Sequence, residues 1–253
     1  IDFDEPLLEA TFRIQSDANI YVDNCQLKLE KSNPPPQPGD IRVLMIGNSI
    51  LYHGPNLNLG WSGNWGMAAS AEENDYGHIL YSYVDAHLAE SSHLQIMNFA
   101  DWEKNWDRIV PENDAKLNEA RAYAADIICI RLGENVAYGL EIGSSMKAAY
   151  KAAFEQMVAY VAGLDAGRSP VIVVGGDFWN FKQYVDLAME EVCDTRQWPF
   201  VPIWPTTYNP SQPDYLTEYT AFGVDYLDQE TTDEGVLQHP SDAGMQKIAD
   251  LLW

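Results

Sequence analysis

The sequence predicts an α/β domain: a three-layer α/β/α sandwich around a five-stranded parallel sheet, with a short β extension at the N-terminus. Three observations predict it. Short apolar runs recur along the chain and stop at glycine or turn residues, as strands buried on both faces of a parallel sheet do. Segments of helical period lie between them, opened by capping residues. Strand and helix alternate, which is how crossover connections between parallel strands are written in a sequence.

Residues 1–31 stand apart from this pattern. Residues 11–15, 20–23 and 25–29 alternate polar and apolar, with Ser16-Asp17-Ala18-Asn19 as a turn. Two readings are open. The phrase from Ile20 to Leu27 is similar to the last strand of several carbohydrate-binding β-sandwich modules, which makes the segment a module remnant. Alternatively it is an edge hairpin packed on the main domain. Residues 32–40 form a linker whose prolines favour extended polyproline II and forbid helix. The main domain is then 41–253.

That domain opens on Ile41-Arg42-Val43-Leu44-Met45-Ile46, a central buried strand ending abruptly at Gly47-Asn48-Ser49. A serine there sits at the carboxyl end of a central strand, where open α/β sheets bind ligands. The loop 51–74 carries Gly60-Trp61-Ser62-Gly63-Asn64-Trp65-Gly66. Two indoles in a glycine-rich loop either form a substrate wall or anchor the loop to the core. A helix over 75–90 follows, with Ile79, Leu80, Tyr83, Val84 and His87 on one face. Residues 94–99 are the second strand, 114–124 a helix, and 127–132 the third strand. Ser144 or Ser145 caps a helix reaching Gly163. Residues 171–174 are the fourth strand, 183–197 a helix, and 200–204 an edge-like fifth strand because of Pro202. A loop-rich stretch, 205–238, leads to a last helix with Pro240 in its first turn.

Composition limits the function classes. With 15 Lys and Arg against 38 Asp and Glu, the formal charge is -23, which repels nucleic acid and anionic membranes. Neutral sugars are tolerated, and eight Trp suit stacking on sugar rings as well as core packing. No apolar run approaches the ~20 residues of a membrane-spanning helix. Of three cysteines, Cys129 reads as a buried thiol, Cys25 and Cys193 are free to pair, and the odd number argues against a disulfide framework. The chain starts at Ile1 and is read as a mature or trimmed product. No His-x-x-x-His or Cys-x-x-Cys spacing supports a metal, and no cofactor is expected.

Gly47-Asn48-Ser49, Gly133-Glu134-Asn135 and His239-Pro240, in that order and each at a strand or helix edge, resemble the SGNH hydrolases, a branch of the GDSL esterases and lipases. The likeness spans 41–253. It implies a flavodoxin-like strand order, Ser49 as nucleophile and His239 as its base. It also implies an oxyanion hole built from the Ser49 amide, the Asn135 side chain and a glycine amide after the second strand. Here the chain departs from the family: Phe99-Ala100-Asp101-Trp102-Glu103 contains no glycine, so the backbone amide of Trp102 or Glu103 is expected instead. The family's acid position is occupied by Val236. Either Asp233 or Glu234 loops back to the histidine, or a backbone carbonyl orients the ring and leaves a Ser-His dyad. Asn48, Trp61 and Trp65 are expected to bind substrate. The activity implied is a secreted or cell-surface esterase removing O-acetyl groups from a polysaccharide. The alternatives are an esterase of small acyl esters and a glycan-binding protein on the same fold.

Overall fold

The structure is a computed structural model that describes residues 36–137, 139–140, 144–179, 182–203 and 234–253. The N-terminal β extension, linker residues 32–35, Asp233 and Cys25 lie outside the described residues.

The sheet has five parallel strands in the order β2-β1-β3-β4-β5: β1 Ile41–Gly47, β2 Ser92–Asn98, β3 Ile127–Arg131, β4 Val171–Gly175 and β5 Phe200–Val201. β1 lies between β2 and β3, so both of its edges are paired. Alternate side chains point to opposite faces. Leu44 and Ile46 pack with Ile128 and Ile130 of β3 against α3 (Ala115–Tyr123), α4 (Ser145–Ala162) and α5 (Gln183–Arg196), through Leu117, Phe154, Val158 and Val192. Val43 and Met45 pack with Cys129 against α1 (Tyr76–His87) and the last helix, Asp242–Leu252, through Leu80, Met245 and Ile248. The run Val-Leu-Met-Ile is therefore apolar throughout because the sheet has a helix layer on each side.

Helix starts follow their caps. Asp75 accepts from the His78 amide at 2.8 Å, Asp114 from Leu117 at 2.9 Å and Ser144 from Lys147 at 3.1 Å. Gly163 closes α4 in the left-handed conformation at φ 66°. Cys193 is buried in the core formed by α4 and α5.

Four elements depart from the sequence reading. β5 is two residues long, because Pro202 has no amide to continue the ladder. The last helix starts at Asp242 with Ser241 as its cap, so Pro240 precedes its first turn. Two short helices were not foreseen: α2, Ala100–Asn105, and α6, Glu234–Leu237. Both are too short for a 3.6-residue period to register. The last helix is accordingly α7. Among the described residues, no helix is long and apolar enough to cross a membrane.

Candidate active site

The parallel register opposes Ile46 to Ile130 and Gly47 to Asn98, so the turns after β1, β2 and β3 leave the sheet at one level. The turn after β1 is sharp. A Cβ on Gly47 would lie 2.6 Å from the Cβ of Leu51, which only glycine avoids. Asn48 builds the turn: its Oδ1 accepts from the Ile50 amide at 3.1 Å, and its carbonyl accepts from Leu51 and Tyr52, each at 3.0 Å. Ser49 is thereby presented above the sheet edge.

α6 and the turn before α7 bring His239 to it. Ser49 Oγ lies 2.8 Å from His239 Nε2, and His239 Nδ1 lies 2.6 Å from the Gly235 carbonyl oxygen. A carbonyl only accepts, so Nδ1 carries the proton and Nε2 is left as the acceptor for the serine hydroxyl. The ring is only 8% exposed and stands edge-on to Trp179, with centroids 5.5 Å apart at 88°. Trp179 is itself fixed by its indole N–H, which donates to the Gln238 carbonyl at 3.1 Å.

Val236, at the family's acid position, is fully buried and shares an apolar cluster with Trp61, Met67 and Ala68. Its carbonyl accepts from the His239 amide at 2.9 Å. The position thus carries packing and a turn bond. Asp233, the expected acid, is outside the described residues.

Three expectations need correction. Trp61 is 0% exposed: its indole N–H donates to the His53 carbonyl at 3.0 Å, and a Cβ on Gly63 would lie 2.3 Å from its ring. Trp65 is half-buried, edge-on to Trp61 at 5.8 Å, with its N–H held by the Ala69 carbonyl at 2.8 Å. The loop folds inward on its indoles, and they anchor it instead of walling a cleft. Asn48 is also 0% exposed, with Nδ2 shared between Glu103 Oε1 at 3.1 Å and Glu134 Oε2 at 2.6 Å, so it offers no face to a substrate. The Glu103 amide donates to the Phe99 carbonyl at 3.1 Å as the first turn of α2 and is not free for an oxyanion.

The Glu103 side chain enters the site instead. Its carboxylate accepts from Asn48 Nδ2, from the Gly133 amide at 2.5 Å, from the Asn135 amide at 3.4 Å and from Asn135 Nδ2 at 2.7 Å. Sequence reasoning weighed only its amide. Phe99 and Glu103, four apart, share a helical face, and the large apolar Phe99 marks that face as inward. The Trp179 and Gly235 contacts carry no sequence signal: the first joins segments distant in the chain, and the second is made by a main-chain carbonyl, which every residue has.

Beneath the site lies a buried polar cluster. Glu134 pairs with Arg131 and accepts from the Phe178 amide at 3.0 Å. Gly133, at φ 146°, admits the Asp177 carboxyl, since a Cβ there would lie 2.3 Å from Asp177 Oδ1. Burial pushes the Asp177 carboxyl well above the ordinary range, and nearby Asp186 adds to the shift. Burial raises Glu103 against the pull of its four donors. Asp186 accepts from the Asp177 amide at 2.9 Å and is pushed from 3.8 to about 6, chiefly by burial, with Glu190 raising and Arg131 lowering it.

A raised carboxyl favours the fold most below its unfolded value and loses that contribution as pH rises through the folded value. For Asp186 the window runs from 3.8 to about 6. Asp186→Asn keeps the acceptor oxygen and cannot ionise. It is expected to be close to wild type at low pH and more stable above about pH 7, by on the order of 3 kcal/mol. Urea melts across pH check this; parallel stability curves for the two proteins would refute it.

Ser49 follows β1, Gly133-Glu134-Asn135 follows β3 and His239 precedes α7, on a sheet of flavodoxin-like order. That strand order is the one the resemblance to the SGNH hydrolases implies. No protein-family model and no curated protein matches the chain. Among solved structures, it is similar to a salicylyl-acyltransferase from a tetracycline biosynthetic pathway, with 16% identity over 87% of this chain and 53% of that one, TM-score 0.48. A family two carbohydrate esterase from Clostridium thermocellum, solved with cellohexaose, has 14% identity over 86% of this chain and 63% of that one, TM-score 0.46. A protein from Bacteroides uniformis described as GDSL-like lipase has 14% identity over 85% of this chain and 94% of that one, TM-score 0.46. The chain thus spans 53% and 63% of the first two. Likeness at this level is compatible with any chemistry the fold hosts, because function resides in the site.

Proposed function

We propose that the protein is a serine ester hydrolase in which Ser49 is the nucleophile and His239 its base, acting on short acyl esters of a carbohydrate outside the cell. The observation that supports it is the 2.8 Å contact from Ser49 Oγ to His239 Nε2, with Nδ1 turned to the Gly235 carbonyl at 2.6 Å. In this mechanism Oγ attacks the acyl carbonyl as its proton passes to Nε2. The developing oxyanion is met by the Ser49 amide, which makes no hydrogen bond among the described residues, and by Asn135 Nδ2. His239 then returns the proton to the departing alcohol. Water, deprotonated by the same nitrogen, attacks the acyl-serine and releases the acid.

The carbohydrate part rests on the acidic charge of -23, which suits a neutral polymer. One observation favours a second reading, a hydrolase of small acyl esters: the burial of Trp61 and Asn48 takes away two of the residues expected to hold sugar. Turnover of p-nitrophenyl acetate and acetate release from an acetylated polysaccharide are the test, each compared with Ser49→Ala. Turnover of both, lost in the variant, supports the proposal. Turnover of the small ester alone favours the second reading. No Ser49-dependent turnover of either sinks both.

Asn135→Ala is expected to lower kcat by about 10²–10³, the usual cost of one oxyanion donor, with KM nearly unchanged. A raised KM at constant kcat would instead make Asn135 a ground-state binding residue.

A further inference from the structure

We propose that Glu103 is a positioning residue for the oxyanion hole: its buried carboxylate fixes the Asn135 carboxamide and ties the turn after β3 to the turn that carries Ser49. The inference rests on the hydrolase reading given above. Its geometric basis is that one side chain gathers donors from both turns. Glu103 Oε2 accepts from Asn135 Nδ2 at 2.7 Å, while Oε1 accepts from the Gly133 amide at 2.5 Å, the Asn135 amide at 3.4 Å and Asn48 Nδ2 at 3.1 Å. Asn48 immediately precedes the nucleophile and is fully buried, as is Glu103.

A carboxamide nitrogen has two protons. With one donated to Glu103, the plane of the Asn135 amide is set and the second proton has a fixed direction. A free asparagine amide is close to symmetric about its last torsion and also flips its oxygen for its nitrogen at small cost. The carboxylate removes both freedoms, since it accepts from nitrogen and repels the amide oxygen. The donor is thereby oriented before the charge develops, and it needs no reorganisation at the moment of reaction. Because Oε1 also holds the Gly133 and Asn135 amides, the backbone of the turn is fixed by the same group.

Only an acceptor serves here. Four donors converge on the two oxygens. Glu103→Gln preserves size but turns one oxygen into an NH2 group, which must face at least one of those donors. Aspartate keeps two acceptors on a shorter stem.

The test is a mutant cycle. Glu103→Gln is expected to lower kcat on p-nitrophenyl acetate by about 10- to 100-fold, less than the loss of the donor itself, with KM changed by less than about twofold. Glu103→Asp should recover part of that loss. In an Asn135→Ala background, Glu103→Gln should cost little more, because its effect passes through a group no longer there. An equal loss in both backgrounds would overturn the proposal, as would wild-type kcat in a folded Glu103→Gln protein.

A second measurement holds whether or not the protein hydrolyses esters. In the wild-type 15N–1H spectrum, the Asn135 carboxamide, assigned by its disappearance in Asn135→Ala, should show one proton shifted downfield of its partner by a charge-assisted bond. In Glu103→Gln the two should converge. Unchanged carboxamide resonances in that variant refute the positioning role. Absent ester turnover in the wild type, alongside the expected spectral change, would reject the hydrolase reading and leave the Glu103–Asn135 coupling standing.

Discussion

Ser49→Ala and His239→Ala are each expected to lower kcat on a short acyl ester by about 10⁴–10⁶-fold, and the double variant to be little worse than either alone. The two side chains form one device: the hydroxyl is a poor nucleophile until Nε2, 2.8 Å away, takes its proton. Removing either partner removes the device, and removing the second takes away nothing more. Fully additive losses would mean that the two act independently, and the assignment would fail. The ring's orientation makes a related point. Nδ1–H has one proton, and the Gly235 carbonyl holds it at 2.6 Å. The Gly235 carbonyl thus orients the ring, and a Ser-His dyad with a main-chain orienter is the expected arrangement. Asp233→Asn is accordingly expected to leave kcat within a fewfold of wild type. A loss of orders of magnitude would show that a carboxylate displaces the carbonyl during turnover.

The parts of the molecule that were legible in the sequence are those set by local rules. The run from Val43 to Ile46 was readable because a strand between two helix layers has no polar position. Gly47 and Asn48 were readable as a turn because their backbone demands are local. Helix caps at Asp75, Asp114 and Ser144 were readable for the same reason. What escaped depends on how distant segments meet. Glu103 was weighed for its amide, yet α2 claims the amide and the carboxylate reaches two other segments of chain, the turns after β1 and β3. Nothing in its neighbours in sequence encodes those partners. Asn48 is expected to bind substrate, but adjacent residues on a tight turn point in different directions, and this one points down into the buried cluster. Gly235 escaped because a carbonyl belongs to every residue and only conformation selects one.

Trp61→Ala is expected to cost about 3–5 kcal/mol of stability and to lower activity on p-nitrophenyl acetate and on an acetylated polysaccharide together. The indole is 0% exposed and its N–H satisfies the His53 carbonyl at 3.0 Å. Truncation leaves a cavity beneath Gly63 and an unpaired carbonyl in the loop that follows the nucleophile. The cavity adjoins Val236, which shares the Trp61 cluster and whose carbonyl holds the His239 amide at 2.9 Å. Relaxation into that space moves the turn that aims the imidazole, and a shift of ~1 Å at a reacting group is enough to cost about 10²-fold. The loss is therefore the same whichever alcohol the acyl group leaves, since it acts on the nucleophile–base pair. Trp61→Phe, which keeps most of the buried area and drops the N–H, should fall between the two proteins in melting temperature and retain more activity. A wall residue behaves differently: its truncation spares the melting temperature and the small ester and weakens only the polymer. If Trp61→Ala melts like the wild type and loses activity on the polysaccharide alone, the indole faces substrate and the inward-folded loop is not the working conformation.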